Sequence, residues 1–191
     1  MTDPFFSGKV LAITGGASGM GLETVKHLSA KGCKISIADI QDEALAIVKA
    51  EIESSSGTGS IITVKTDVRS QSQVEAWIAE TMKSFGRIDF CANLAAVVGK
   101  DILVKATEEI TNEDWDFVLG VNLTGMMNSL RAQIPHLKSG AAVVNFASVS
   151  GQRGFAMNAA YCASKHAVIG LSRCTAKELG PKGIRLNIVC P

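Results

Sequence analysis

The chain has 191 residues, 47% of them hydrophobic and 19% charged, enough apolar material for a sizeable core in one domain and unlike a disordered segment. Its 19 Lys and Arg against 18 Asp and Glu give a formal net charge of +1 with no basic stripe, which argues against a nucleic-acid partner. The opening Met1-Thr2-Asp3-Pro4-Phe5-Phe6 lacks the basic-then-apolar order of a secretory signal, and no apolar run is long enough to span a bilayer, so a soluble, cytoplasmic protein is expected.

A first strand is expected over residues 9–14. It runs into Thr14-Gly15-Gly16-Ala17-Ser18-Gly19-Met20-Gly21, where small residues let backbone N–H groups approach a pyrophosphate at the start of the next helix. Thr14, Gly15, Ser18, Gly19, Met20 and Gly21 are therefore candidate cofactor-binding residues, a glycine-rich turn without a ligand being the competing reading. The helix expected over 20–31 is followed by Gly32, and a second strand over 34–39 ends on Asp39. A carboxylate there accepts hydrogen bonds from an adenosine ribose and repels a 2′-phosphate, and neither Ser18 nor Ile40-Gln41 offers a cation to pair with one. NAD is thus favoured over NADP; the alternative is a helix-capping Asp39.

Next come a helix over 42–54, a Ser/Gly-rich surface loop over 54–60, a strand over 61–65 and a helix over 71–85, where Ser70 with Gln73 forms a capping-box pattern. A strand over 89–93, a helix over 112–138 in one or two pieces, a strand over 141–147, a helix over 161–179 followed by Gly180, and a strand over 185–189 complete the chain. Six strands alternating with crossover-length helices imply an α/β fold with a doubly wound parallel sheet and helices on both faces. The five cysteines, Cys33, Cys91, Cys162, Cys174 and Cys190, are odd in number, lack C-x-x-C spacing and lie mostly in apolar segments. Buried free thiols are expected, not disulfides or a metal site.

Tyr161 and Lys165, four residues apart, share one face of a helix. A fixed ammonium beside a phenol favours the phenolate and suits Tyr161 to general acid/base work; a packing tyrosine and a solvated lysine are the plain alternative. The glycine loop, Asp39 and Tyr161-Cys162-Ala163-Ser164-Lys165, in that order, resemble the short-chain dehydrogenase/reductase family over nearly the whole chain. The resemblance implies a Rossmann-type sheet of order 3-2-1-4-5-6 and hydride transfer between NAD(H) and a small-molecule secondary alcohol or ketone. It implies a homodimer through the helices at 112–138 and 161–179. It further implies a tetrad of Asn122, Ser148, Tyr161 and Lys165. Ser148 would hydrogen-bond the substrate oxygen, Asn122 would support a water linking Lys165 to solvent, and Lys165 would also bind the nicotinamide ribose. Asp67-Val68 look like the family's adenine contact, and Asn93 opens a cofactor-adjacent turn. The chain's opening is similar to that of members in secondary-metabolite pathways.

The sequence also departs from the family. Asn93-Leu94-Ala95-Ala96 stands where Asn-Asn-Ala-Gly is usual; if the last position needs positive φ or close approach to the cofactor, Ala96 weakens NAD binding and Ala96→Gly should tighten it. The match to the family's sixth strand ends at Pro191, ahead of a substrate loop and a seventh strand. A missing seventh strand and an exposed edge at Leu186 and Ile188 are therefore expected, leaving 102–111 as a stretch that bears on substrate choice. Two other readings stay open: a truncated, non-catalytic nucleotide-binding or scaffolding protein, and an isomerase or dehydratase that uses Tyr161 as acid/base.

Overall fold

The computed structural model describes residues 3–56 and 59–191; Gly57 and Thr58 of the expected Ser/Gly-rich loop lie outside the described residues. β1 (Val10–Thr14) is buried at every position, as suits a strand covered by helices on both faces. Beside it run β2 (Lys34–Asp39), β3 (Ile61–Lys65), β4 (Ile88–Asn93), β5 (Leu137–Phe146) and β6 (Arg185–Val189), all pairs parallel, in the order β3-β2-β1-β4-β5-β6. The strands step outward from β1 to β3, then the chain returns to place β4 against the other edge of β1. The connections leaving β1 and β4 diverge there, opening a crevice at the carboxyl ends of the strands.

The pleat sends alternate residues of each strand to opposite layers. Leu11, Ile13, Ile35 and Ile37 pack on one face with Val25 of α1 (Gly19–Ala30) and Leu45, Val48 and Ile52 of α2 (Asp42–Ser56). Ala12, Cys91 and Val143 face the other way, toward Trp77 of α3 (Gln71–Phe85), Leu130 of α5 (Gly125–Gln133) and Val168 of α6 (Ala159–Leu179). That second layer also holds a fully buried polar cluster: Asn93 Nδ2 donates to Gln133 Oε1 at 3.1 Å and to Asn145 Oδ1 at 2.9 Å, and Asn145 Nδ2 donates to Ser172 Oγ at 2.9 Å. A satisfied network of this kind ties β4, β5, α5 and α6 to one arrangement.

Several element boundaries differ from the sequence expectation. The stretch 112–138 is not a single helix: α4 (Asn112–Leu119) passes through a π-type turn at Gly120–Thr124 into α5, then a 3₁₀ turn at Ile134–His136, and β5 takes over at Leu137. β5 is itself irregular, pairing Leu137 with Ile88 and then Ala142 with Phe90, so Lys138, Ser139 and Gly140 loop out to solvent. Ser70 Oγ accepts from Gln73 N at 3.4 Å, but Gln73 Oε1 reaches past Ser70 to Asp67 N at 2.8 Å, which leaves the capping box half-formed. α6 starts at Ala159, two residues before Tyr161. Gly180 is right-handed and leads into another 3₁₀ turn; the left-handed stop is Gly183, at φ +70°.

Among the described residues β6 pairs with β5 alone, its Leu186 and Ile188 half-buried against the core and its other side chains exposed. All five cysteines are free; Cys33, Cys91 and Cys162 are buried, while Cys174 is exposed and Cys190 half-buried, contrary to the general expectation of burial. Burial pushes the Cys33 thiol up to about 12 and raises that of Cys91 as well. Among the described residues, no helix is long and apolar enough to cross a membrane.

Candidate active site

The loop between β1 and α1 is shaped by what it excludes. Gly15 sits at φ +71°, and a Cβ there would stand 2.8 Å from Ala95 N; a Cβ on Gly21 would run into the Gly15 carbonyl. Ser18, the N-cap of α1, makes no side-chain capping bond, and the first turn of α1 carries no acidic residue. α3 and α4, by contrast, are closed by the side chains of Ser70 and Thr111. The first amides of α1 are thus left to an outside acceptor, and the helix dipole favours an anion there.

Asp39, 6% exposed, accepts from Ala17 N at 3.0 Å and from Gln41 N at 3.1 Å. It braces the glycine loop against β2 and does not cap α2, which starts at Asp42. Asp67 is gripped by Arg69, with Nη2 at 2.6 Å and Nε at 3.0 Å from both carboxylate oxygens, and that pairing holds its carboxyl below the usual carboxylate range. Arg69 also lies over the Phe117 ring, 5.5 Å from its centroid. Although the sequence beside Asp39 lacks a cation, the fold brings Arg69 to the same cavity, already neutralised by Asp67.

That cavity, about 350 Å³, touches Gly15, Ser18, Met20 and Gly21 of the loop, Asp39, Asp67 and Val68 at the strand ends, and Tyr161 and Lys165 of α6. Thr14, Gly19, Asn93, Asn122 and Ser148 stand outside its wall. Thr14 Oγ1 accepts from Ala95 N at 3.3 Å and ties two loops together. The pleat turns the Asn93 side chain into the buried polar cluster, so its expected place at the cofactor is a structural one beneath the crevice.

Tyr161 is half-buried and Lys165 is 3% exposed, one helical turn away. Lys165 Nζ donates to Phe146 O at 3.0 Å and lies 5.5 Å from the centroid of the Tyr161 ring. Burial pushes its amine down to about 8. Ser148, just past β5, accepts from Ser150 N at 3.2 Å and donates to Pro191 O at 3.4 Å.

Asn122 occupies the π-type turn, a local irregularity common at functional positions. Its Oδ1 accepts from Val97 N at 2.8 Å, and its Nδ2 donates to Val97 O at 2.8 Å and to Ser164 Oγ at 3.0 Å. Ser164 in turn donates to Tyr161 O at 2.7 Å. Both amide hydrogens are used to bridge the loop after β4 to α6, so the Asn122 side chain holds these two elements together. Sequence reasoning missed Val97, Ser164 and Arg69: Val97 acts through its backbone, Ser164 reads as filler between Tyr161 and Lys165, and Arg69 becomes relevant only in space.

Among the described residues only Leu103 and Met157 combine a side chain with positive φ, so Ala96 carries no strain of that kind. Of the two grounds for Ala96→Gly, positive φ is thus removed, whereas Ala96 does border the cavity, where close approach to a cofactor is the remaining ground.

A family model described as short chain dehydrogenase matches residues 9–191. The chain is 48% identical to "Short-chain dehydrogenase/reductase aba4" of Botryotinia fuckeliana (strain B05.10), across 100% of this chain and 74% of that protein. It is 38% identical to levodione reductase of Leifsonia aquatica, covering 97% of this chain and 69% of the relative. Solved structures agree: a crystal structure of levodione reductase superposes with a TM-score of 0.92 at 38% identity, covering 97% of this chain and 72% of that one. A crystal structure of NAD+-bound xylitol dehydrogenase superposes with 0.91 at 31% identity, covering 97% and 70%.

Proposed function

This chain belongs to the short-chain dehydrogenase family, and from that premise we propose that it moves a hydride between NAD(H) and the carbon of a secondary alcohol or ketone. The observation that carries the reading is one cavity shared by the glycine loop, Asp39 and the Tyr161–Lys165 pair. The residues suit a dinucleotide: the backbone at Gly15 and Gly21 admits no side chain, and the uncapped start of α1 offers amides to a pyrophosphate. The NAD-bound relative among the structural neighbours supports the same cofactor class.

A bound nicotinamide would supply the hydride acceptor for oxidation and the hydride donor for reduction. The protein supplies the proton chemistry and the positioning. In alcohol oxidation Tyr161 Oη takes the hydroxyl proton as the carbinol hydrogen leaves with its electron pair and the C=O bond forms; reduction runs the same steps backward. Lys165, held by Phe146 O, sets its amine beside the Tyr161 ring and keeps the pair on one face of α6. Ser148 exchanges its contact with Pro191 O for the substrate oxygen. Asn122 fixes α6 against the loop after β4, so Tyr161 and Lys165 keep their places.

Tyr161→Phe removes the acid/base and preserves the ring. Following NADH absorbance over a panel of secondary alcohols should show turnover in the parent chain and a loss of about 100-fold or more in the variant. Equal turnover in the two, or none in either, rejects the dehydrogenase reading.

A further inference from the structure

Beside Tyr161, the loops before α4 and α6 expose several apolar side chains, while Asp101 and Asp114 are turned inward. Asp114 accepts from Lys100 N at 2.8 Å and Asp101 N at 3.2 Å. Asp101 accepts from Thr111 N at 3.1 Å and Thr111 Oγ1 at 3.0 Å, and pairs with Lys105 Nζ at 3.0 Å. Both carboxylates are buried, Asp101 in the loop and Asp114 on the first turn of α4. Facing solvent instead are Leu103 at 73% exposure, Val104 at 69% and Val98 at 51%. From the segment before α6 come Phe155 and Met157, 44% and 49% exposed.

The two loops are joined by a hydrogen bond from Leu103 N to Met157 O at 2.7 Å. Leu103 at φ +58° and Met157 at +54° are the two side-chain-bearing residues with positive φ among those described. Backbone outliers of this sort gather at ligand clamps, and clustered exposed hydrophobics mark contact surfaces. The surface is continuous with the site: Val98 and Met157 line a narrow pocket against Tyr161, and Val98 and Tyr161 both border an open cleft of about 570 Å³.

We propose, resting on the dehydrogenase reading, that the substrate is a secondary alcohol or ketone with a mainly apolar ring or chain body. That body lies across Val98, Leu103, Val104, Phe155 and Met157 while its oxygen meets Tyr161. A polyol would gain less there, because Asp101 and Asp114 are already bonded and the Arg153 guanidinium is stacked on the Phe155 ring.

The test compares decalol, cyclohexanol, isopropanol and xylitol by NADH absorbance. It also measures decalone binding calorimetrically to Tyr161→Phe in the presence of NADH. The clamp variants are Leu103→Asn and Met157→Asn, since Asn tolerates the left-handed backbone while removing apolar surface. Decalol should exceed isopropanol in kcat/KM by about 100-fold, and each variant should lose about tenfold more on decalol than on isopropanol, with decalone binding weakened alongside. Preference for xylitol, no advantage for decalol, or variants that lower every alcohol and the melting temperature alike would overturn the inference, the last result placing these side chains under protein. Decalone binding that the variants weaken, with no turnover of any alcohol, would uphold the apolar site while rejecting the redox reading.

Discussion

Lys165 is a cation held where charge is disfavoured, with Phe146 O as its hydrogen-bond acceptor at 3.0 Å. Burial lowers its amine from 10.5 to about 8, so between those values the unfolded chain keeps a proton that the folded chain has released. Stability therefore rises with pH across that window, by up to about 3 kcal/mol from this group alone. Urea unfolding of the parent chain and Lys165→Met should show the parent gaining relative stability from pH 8 to pH 10; a difference that stays flat or falls refutes the burial account. At this scale the sequence made the type and spacing of Tyr161 and Lys165 legible, since four residues fix a shared helix face. The partners of Asn122 were not legible, because Val97 bonds through its backbone and Ser164 lies 42 residues away.

At the scale of elements, the end of α6 distinguishes two glycines with different duties. Gly180 is right-handed with open space around its missing Cβ, whereas Gly183 is left-handed and a Cβ there would meet Ser139 Oγ. Gly180→Ala should hold or raise stability by up to about 1 kcal/mol, and Gly183→Ala should cost about 1–2 kcal/mol, as read by urea titration. Equal effects would mean that Gly183 is not the stop. The helical period over 112–138 was clear, but its break was hidden: the π-type turn and the takeover by β5 at Leu137 depend on packing against β4 and α6. Hydrophobic spacing alone does not encode that competition.

For the whole molecule, cofactor choice and assembly are the measurable consequences. A ligand at a hundredfold its Kd adds about 2.7 kcal/mol to stability, so NADH should raise the melting temperature well above what NADPH achieves at equal concentration. The expectation rests on the carboxylate of Asp39, which would repel an added 2′-phosphate, and on Arg69 being already paired with Asp67. An equal or larger shift with NADPH would show that Arg69 leaves Asp67 for the phosphate. α4 and α6 pack side by side and leave Trp115 and Cys174 at the surface, and we propose this face as a homodimer contact. Light scattering should report twice the 20.1 kDa chain mass, and a monomer at micromolar concentration would reject it.

Sequence by itself determined the alternation of strands and helices, the glycine loop, the acidic residue ending β2 and the Tyr161–Lys165 spacing. Each of these depends on local chemistry: backbone space, side-chain period and charge within a few residues. Only the tertiary structure decided that Arg69 borders the same cavity as Asp39, that Asn93 belongs to a buried network, that Asn122 is a clamp, and that Leu103 meets Met157. Those relations join residues 25 to 54 positions apart, and they exist only once parallel pairing has brought the carboxyl ends of β1, β2, β4 and β5 to one crevice.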